Sequence, residues 1–194
     1  MGKQTSKKCG EIAVSKAMGQ AFAQLAFGHA RKGKKEIANE IFTRAKNIAY
    51  IQPNSLDKDL VLREIAYRQA ECAFFDDSLK TIYEMEYAEN KNWALSRLAF
   101  EHIRRGQRAQ AKKLSKMITD EAILCPLLSE LADYEFTEGR FITASATLLV
   151  ARVKANNIKN LQVRRSAIET LDDIEKDIDS TLQTMMNGYN KGQK

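Results

Sequence analysis

The sequence predicts an all-helical protein in which helix pairs stack on one another as a solenoid. Apolar residues recur at intervals of three and four, which is the spacing of amphipathic helices. A pattern of 14 residues is repeated four times, starting at Leu25, Ile65, Leu98 and Leu131, with steps of 40, 33 and 33 residues. A period in this range predicts a stacked repeat architecture, because one helix pair cannot bury its apolar face alone. Only two prolines and nine glycines interrupt the chain, which argues against long loops.

A small residue marks the turn between the two helices of each pair. It lies eight positions after the start of each copy, at Gly33, Ala73, Gly106 and Gly139. Glycine supplies the backbone freedom that a tight turn after a helix requires. The second copy has alanine there, so residues 74–77 are expected to make the turn instead, with Asp76 or Asp77 capping the following helix.

The helices of the four pairs follow one another along residues 11–155. The predicted ranges are 11–31 and 35–50, 56–74 and 77–88, 92–105 and 108–118, and 121–137 and 141–155. Pro53 ends the first pair, and Asn54 or Ser55 is expected to cap the next helix. Pro126 falls in the first turns of its helix, where proline is tolerated best.

One long helix is predicted at residues 158–186, after the break at Asn156-Asn157. Its apolar stripe consists of Leu161, Ile168, Leu171, Ile174, Ile178, Leu182 and Met185. The opposite face is acidic, which suits a cap over the open end of a helical stack. The alternative is self-association through this helix, because the stripe is as regular as a coiled-coil seam. Residues 187–194 are predicted to be a frayed tail.

The repeats resemble the tetratricopeptide repeat (TPR) family. That family has a Leu-Gly/Ala pair, an aromatic residue, a Gly, and then Ala, a bulky apolar residue and Ala on the second helix. The second-helix trio is Ala38, Phe42 and Ala45 in the first copy and Ala144, Leu148 and Ala151 in the fourth. The Trp and Pro of the family are missing at their matching places. The resemblance covers roughly residues 19–155 and implies a right-handed α-solenoid of about four helix-turn-helix repeats.

The TPR resemblance also implies a concave groove lined by the first helix of each pair. The candidate partner-binding residues are Phe27, Arg31, Arg63, Tyr67, Trp93, Phe100, Arg104 and Phe136, and Ser129 and Asp133 would lie on the same face. Aromatic residues and arginines dominate binding energy at many interfaces, so such a groove suits a peptide or helix. The leading hypothesis is therefore a non-catalytic protein–protein interaction scaffold or adaptor. The alternative is that some of these residues pack against a neighbouring repeat or the C-terminal helix.

A basic edge supports a second hypothesis, binding of nucleic acid. Its residues occupy the turns of the first and third copies: Lys32, Lys34, Lys35, Arg105, Arg108, Lys112 and Lys113. Helical-repeat proteins that bind RNA exist, and lysines and arginines contact phosphate. The matching turns of the other copies carry Asp76-Asp77 and Glu138, so a solvated edge is the competing interpretation.

The N terminus supports a third hypothesis, a peripheral membrane adaptor. Residues 1–10 are predicted to be flexible and basic, and Gly2 and Ser6 fit the N-myristoylation pattern. Cys9 could take a second acyl chain, as stable anchoring requires two signals. The competing interpretation is a polar, disordered N terminus that begins with Met-Gly by chance.

Catalysis has little support in the sequence. His29 and His102 occupy the same slot of two copies, which indicates packing residues. Cys9, Cys72 and Cys125 show no metal-ligand spacing, and their odd number suggests a reducing compartment. No apolar run of 18 residues and no signal peptide is present, so a cytoplasmic protein is expected. We expect no enzyme activity, no metal and no cofactor, while the net charge of +6 is compatible with an anionic partner.

Overall fold

The computed structural model of the chain describes the backbone of residues 2–191 and the side chains of residues 15–187. Within these residues there are nine helices and no strand, so the all-helical prediction is confirmed. The helices are α1 (Gly2–Arg31), α2 (Lys35–Tyr50), α3 (Ser55–Glu71), α4 (Phe75–Tyr83), α5 (Ala88–Arg104), α6 (Arg108–Ser115), α7 (Glu121–Thr137), α8 (Phe141–Asn156) and α9 (Leu161–Lys191). The chain forms two compact units, divided inside α5 between Glu101 and His102.

The first unit is built on close packing of α1, α2 and α3. Helix α1 packs against α2 and α3, and α3 also packs against α2 and α4. Ala23 of α1 and Ala38 and Ala45 of α2 are fully buried, and such small side chains allow helix axes to approach closely. Gly19 serves the same purpose opposite α3, because a Cβ atom at this position would lie 2.7 Å from Val61 Cγ1.

The second unit has its own core, formed chiefly by α7, α8 and α9. Each of these three helices packs against the other two, and α6 packs against α7. Leu127 and Leu131 of α7, Ala151 of α8, and Leu171 and Ile178 of α9 are buried together there. Helix α9 therefore packs on the last helix pair, and the centre of its apolar stripe is used inside this unit.

The turns after the first helix of each pair share one backbone conformation. Left-handed φ angles of 75°, 64°, 72° and 72° occur at Gly33, Ala73, Gly106 and Gly139. In each turn this residue donates its N–H to the carbonyl three positions back, and the next residue donates to the carbonyl five positions back. The N···O distances are all between 2.8 and 3.0 Å. This double hydrogen bond is the Schellman motif, which satisfies the last carbonyls of a helix.

Ala73 corrects an expectation from the sequence. The turn of the second copy is not moved to residues 74–77, because Ala73 itself takes the left-handed conformation. Helix α4 starts with Phe74 in the capping position and no side-chain cap, so the capping role predicted for Asp76 or Asp77 is wrong. An L-residue in this conformation costs about 1–2 kcal/mol, which the two hydrogen bonds of the motif and the packing of α3 on α4 offset.

Side chains cap the starts of α3 and α7. Asn54 Oδ1 accepts a hydrogen bond from the Asp57 N–H at 2.8 Å, which confirms the predicted cap of α3. Asp120 Oδ1 accepts from the Ala122 N–H at 2.8 Å at the start of α7. Pro126 is tolerated near this end of α7, where few helical hydrogen bonds are lost.

The bounds of the two terminal helices differ from those predicted. Helix α1 begins at Gly2, so the backbone is helical where a flexible segment was expected for residues 1–10. Helix α9 begins at Leu161, because Asn160 Oδ1 accepts from the N–H groups of Gln162 and Val163 at 3.0 and 3.1 Å. It ends at Lys191, inside the predicted tail of residues 187–194.

Candidate functional site

Predicted groove residues of α1 and α3 make contacts within the first unit. Two guanidinium groups lie over the Phe27 ring of α1, with Arg31 Cζ 5.7 Å and Arg68 Cζ 5.3 Å from the ring centroid. These are cation–π contacts. Arg63 of α3 donates a hydrogen bond to Asn90 Oδ1 of α5 at 2.9 Å. The structure therefore brings predicted residues of α1 and α3 onto neighbouring helices, but as partners in packing.

Tyr67 and Trp93 differ in their exposure. Tyr67 is half-buried, and burial raises the pKa of its hydroxyl, while the charges of Arg63 and Arg97 oppose this shift. Trp93 is 45% exposed and is the most accessible of the five predicted groove aromatics. Phe100 is half-buried on the same helix, α5. Trp93 is thus the predicted groove aromatic in this unit with the largest exposed fraction.

A network of ion pairs joins α3 to α5 in the first unit. Arg68 Nε lies 2.7 Å from Glu64 Oε1, and Arg68 Nη1 lies 2.8 Å from Glu71 Oε2. Glu71 also contacts Arg97 of α5, whose Nη2 lies 3.6 Å from Glu101 Oε1. The spacing of three and four residues within each helix was a usable signal for these pairs. The contact between Arg97 and Glu71 was not predictable, because it depends on how α3 and α5 pack.

The remaining predicted groove residues, Arg104 and Phe136, belong to the second unit. Arg104 is exposed. The Phe136 ring meets the Phe141 ring edge-on, with centroids 5.7 Å apart and an angle of 62°. This contact spans the turn between α7 and α8, so Phe136 packs within its own helix pair.

An open cleft of about 580 Å³ lies between α7 and α9 in the second unit. It is lined by Ala122, Pro126, Ser129, Glu130 and Asp133 of α7 and by Gln162, Val163, Ser166, Ala167, Thr170 and Ile174 of α9. The lined stretches of α7 and α9 are each about three helical turns long, or roughly 16–18 Å at 1.5 Å per residue. Ser129 and Asp133 were predicted to lie on the concave face. The α9 side was not predicted, because the sequence does not say which helix α9 packs beside.

The cleft combines an apolar floor with an acidic edge. Pro126, Val163 and Ile174 supply apolar surface, and the charged residues of the lining, Glu130 and Asp133, are both acidic. Neither carboxylate makes a salt bridge to any residue in the described part of the chain. The cleft therefore offers an uncompensated negative charge beside apolar surface.

Two of the three hydroxyls that line the cleft are already hydrogen-bonded within their own helices. Ser129 Oγ donates to the Cys125 carbonyl at 3.1 Å, and Thr170 Oγ1 donates to the Ser166 carbonyl at 3.0 Å. Both donors thus have acceptors without a ligand. A molecule in this cleft would meet apolar surface, the two carboxylates, and the polar side chains of Gln162 and Ser166.

Arg108 and Lys112 of the basic edge form ion pairs within the second unit. Arg108 Nη1 lies 3.0 Å and Lys112 Nζ lies 2.6 Å from Glu135 Oε1, so these two cations hold a carboxylate of α7. Lys32, Lys34, Lys35, Arg105 and Lys113 are exposed. The ion pairs of Arg108 and Lys112 with Glu135 were not predicted from the sequence, although Glu135 occupies the same repeat position as His29 and His102.

Glu135 is fully buried but remains favoured in its charged form. Its other oxygen, Oε2, accepts a hydrogen bond from Thr147 Oγ1 of α8 at 2.6 Å. Burial raises the pKa of the Glu135 carboxyl, but hydrogen bonds from Lys112, Thr147 and Arg108 and the charge of Lys112 outweigh burial and lower it. The cluster therefore stabilises the charged carboxylate and ties α6, α7 and α8 together.

The side chains considered for catalysis, metal binding and lipidation are placed as follows. His102 Nδ1 lies 2.6 Å from Gln107 Oε1 in the turn after α5. Burial raises the pKa of the Cys125 thiol to about 11, with a smaller contribution from the charge of Glu121, so this thiol is protonated at neutral pH. Among the described residues, no group of three or more His, Cys, Asp or Glu side chains could hold a metal ion. Gly2 and Cys9 lie outside the residues whose side chains the structure describes.

Comparisons with known proteins add no assignment to this site. No protein-family model, curated protein or solved structure matches the chain. The resemblance to TPR proteins therefore stays a prediction. Within the described residues, no helix has the length and apolar character needed to cross a membrane.

Proposed function

We propose that this protein is a non-catalytic interaction scaffold that holds a helix of another protein in the cleft between α7 and α9. The observation that carries this proposal is the open cleft itself, an apolar surface about three helical turns long, whose described lining has two acidic residues and no cation. Binding of an amphipathic helix in an apolar groove is a recurrent mode of recognition.

The shape of the cleft favours a helix over a compact ligand. The lining runs along two helices, so a third helix could lie between them over the same three turns. Small residues, Ala122, Ser129 and Ala167, contribute to the lining and let a partner backbone approach closely. The cleft is carried by packed helices, so little conformational entropy is lost on binding.

The charge of the cleft selects a partner with basic flanks. Glu130 and Asp133 attract lysine or arginine beside the apolar stripe of the partner helix. The whole chain carries a net charge of +6, which would oppose such a partner at long range. At physiological ionic strength, charges in solvent are screened beyond about 8 Å, so the nearby carboxylates decide the preference.

We further propose that the four helix pairs form a right-handed TPR-like solenoid in a cytoplasmic protein. The support is the identical Schellman turn at each copy, which recurs with the spacing of the sequence repeat. The two other hypotheses have weaker support. The nucleic-acid hypothesis is weakened because Arg108 and Lys112 form ion pairs with Glu135. The lipidation hypothesis for Gly2 and Cys9 rests on the sequence pattern alone.

A blocked cleft tests the proposal. The probe is a helix-forming peptide of about 18 residues with a leucine and alanine stripe and lysine flanks, long enough to cover the cleft. Ala167→Trp fills the cleft from α9, and we expect it to weaken peptide affinity at least tenfold, or by about 1.4 kcal/mol, as measured by fluorescence anisotropy. Ala109→Trp, on an exposed position of α6, is the matched control and should bind as the unmodified protein does. Equal affinity for the two tryptophan variants would contradict the proposed site.

A further inference from the structure

Helix α8 carries an apolar stripe that faces solvent. Ile142 is 88% exposed, Leu149 66%, Val153 58% and Val150 51%. Ala146, which lies between them on the same face, is also exposed. Together these side chains present on the order of 300 Å² of apolar surface, the size at which a contiguous patch on a monomer is often functional.

The stripe has the spacing of a helix–helix seam. Ile142, Ala146, Leu149 and Val153 follow one another at steps of four, three and four residues, as the core positions of a two-stranded coiled coil do. Self-association through α9 was the alternative that the sequence left open, but Leu171 and Ile178 of that helix are buried within the second unit. The exposed seam is therefore on α8.

The seam is complementary to itself when two copies run antiparallel. A two-fold axis beside the middle of α8 places Ile142 opposite Val153 of the other copy and Ala146 opposite its Leu149. At the centre of the contact, Leu149 of each copy thus packs against Ala146 of the other. Arg140, just before α8, would lie beside the C-terminal end of the other α8, where the helix dipole favours a positive charge.

The charges around the seam also fit a second copy. A two-fold contact brings the same set of side chains together from both copies, so a seam flanked by unpaired charges of one sign would oppose the contact. The flanking positions Thr143, Ser145 and Val150 are uncharged. Arg152, the next flanking residue, is paired with two carboxylates of α9, Asp172 at 2.7 Å and Glu175 at 2.6 Å.

We propose that α8 pairs with the α8 of a second copy of this chain in an antiparallel, two-fold contact. The area is smaller than that of a standard interface, so we expect a weak, reversible dimer. No residue of α8 lines the cleft between α7 and α9, so a dimer presents two open clefts. Two linked clefts raise the avidity for a partner that carries two binding helices.

Sedimentation equilibrium over a range of concentrations tests the dimer. The unmodified chain should shift from 22.0 kDa towards twice this mass as its concentration rises through the micromolar range. Leu149→Glu should weaken self-association at least tenfold. Leu161→Glu is the matched control, because Leu161 is a leucine of α9 that is 74% exposed and lies outside the seam. A chain that stays monomeric, or an equal loss in both variants, would overturn the proposal.

A pair of charged variants tests the antiparallel register and separates it from misfolding. Ala146→Lys and Leu149→Glu should each be monomeric alone at concentrations where the unmodified chain dimerises. Mixing them should restore a dimer, since the introduced lysine of one copy faces the introduced glutamate of the other, while the second half of the seam keeps its native contact between Leu149 and Ala146. Circular dichroism checks that both variants keep their helicity. Failure of the mixture to associate would rule out this register.

Discussion

Two surfaces of this protein carry carboxylates on helices, yet they differ in what those carboxylates contact. In the first unit, Glu64 and Glu71 of α3 form ion pairs with Arg68 and Arg97. In the second unit, Glu130 and Asp133 line the cleft between α7 and α9, and they make no salt bridge in the described part of the chain. The first surface therefore joins helices to one another, whereas the second leaves its charge and apolar area accessible to the partner helix that we propose. Pairing, more than residue type, distinguishes the two surfaces.

The largest effect is expected where a carboxylate is both paired and buried. Glu135→Ala leaves Arg108 and Lys112 without their partner, and because both cations are partly exposed and can be hydrated, we expect a cost of about 1–3 kcal/mol. Urea unfolding followed by circular dichroism measures the loss. The control is Glu130→Ala, on the same helix but exposed and unpaired, which should change the free energy of unfolding by less than about 0.5 kcal/mol. A similar loss in both variants would break the distinction between paired and unpaired carboxylates.

The same cluster makes stability depend on pH. The folded-state pKa of Glu135 is lowered, so its carboxylate contributes stability above the unfolded value, near 4.5, and this contribution is lost as the pH falls towards the folded pKa. Glu135→Gln keeps the shape but does not ionise. We expect its free energy of unfolding to fall less than that of the unmodified protein between about pH 5 and pH 3. Parallel pH profiles would show that this carboxyl does not contribute.

The next effect concerns binding rather than stability. Glu130→Gln combined with Asp133→Asn removes the negative charge of the cleft and keeps its shape. We expect this double variant to bind the lysine-flanked peptide about tenfold more weakly, while its free energy of unfolding stays within about 0.5 kcal/mol of the original. Isothermal titration calorimetry and urea unfolding give the two values. Trp93→Ala, on α5, serves as the control and should leave affinity for this short peptide within about twofold, because α5 does not line the cleft.

A smaller effect compares equivalent turns of the two units. Ala73 and Gly139 occupy the same left-handed position. Ala73→Gly should stabilise the protein by about 1 kcal/mol, because glycine adopts this conformation without steric strain. Gly139→Ala should destabilise it by a similar amount, and no atom within 4 Å would meet the added Cβ. Thermal and urea unfolding of both variants measure the difference, and effects of the same sign would contradict the equivalence of the turns.

The sequence predicts the helices and turns better than it predicts the surfaces. The repeat places three of the four turns at their glycines, whereas the turn at Ala73 was expected at residues 74–77, because alanine seldom adopts the left-handed conformation. The ion pairs of Glu71 and Glu135 were not foreseen, because they join residues 26 and 27 positions apart along the chain. The cleft was only half foreseen, since Asp133 follows from the repeat whereas Ala167 reaches it through the packing of α9. The net charge of +6 suggested an anionic partner, but charge near a binding site depends on which carboxylates remain unpaired.

The measurement that tests the account most directly is an NMR titration of the chain with the lysine-flanked peptide. Backbone amide shifts identify which of the two surfaces the peptide contacts. The account predicts that the largest changes fall on residues 122–133 of α7 and 162–174 of α9, and that they are reduced in Glu130→Gln with Asp133→Asn. Changes concentrated on α3 and α5, around Tyr67 and Trp93, or equal changes with a glutamate-flanked peptide, would contradict the assignment of the partner site to the acidic cleft.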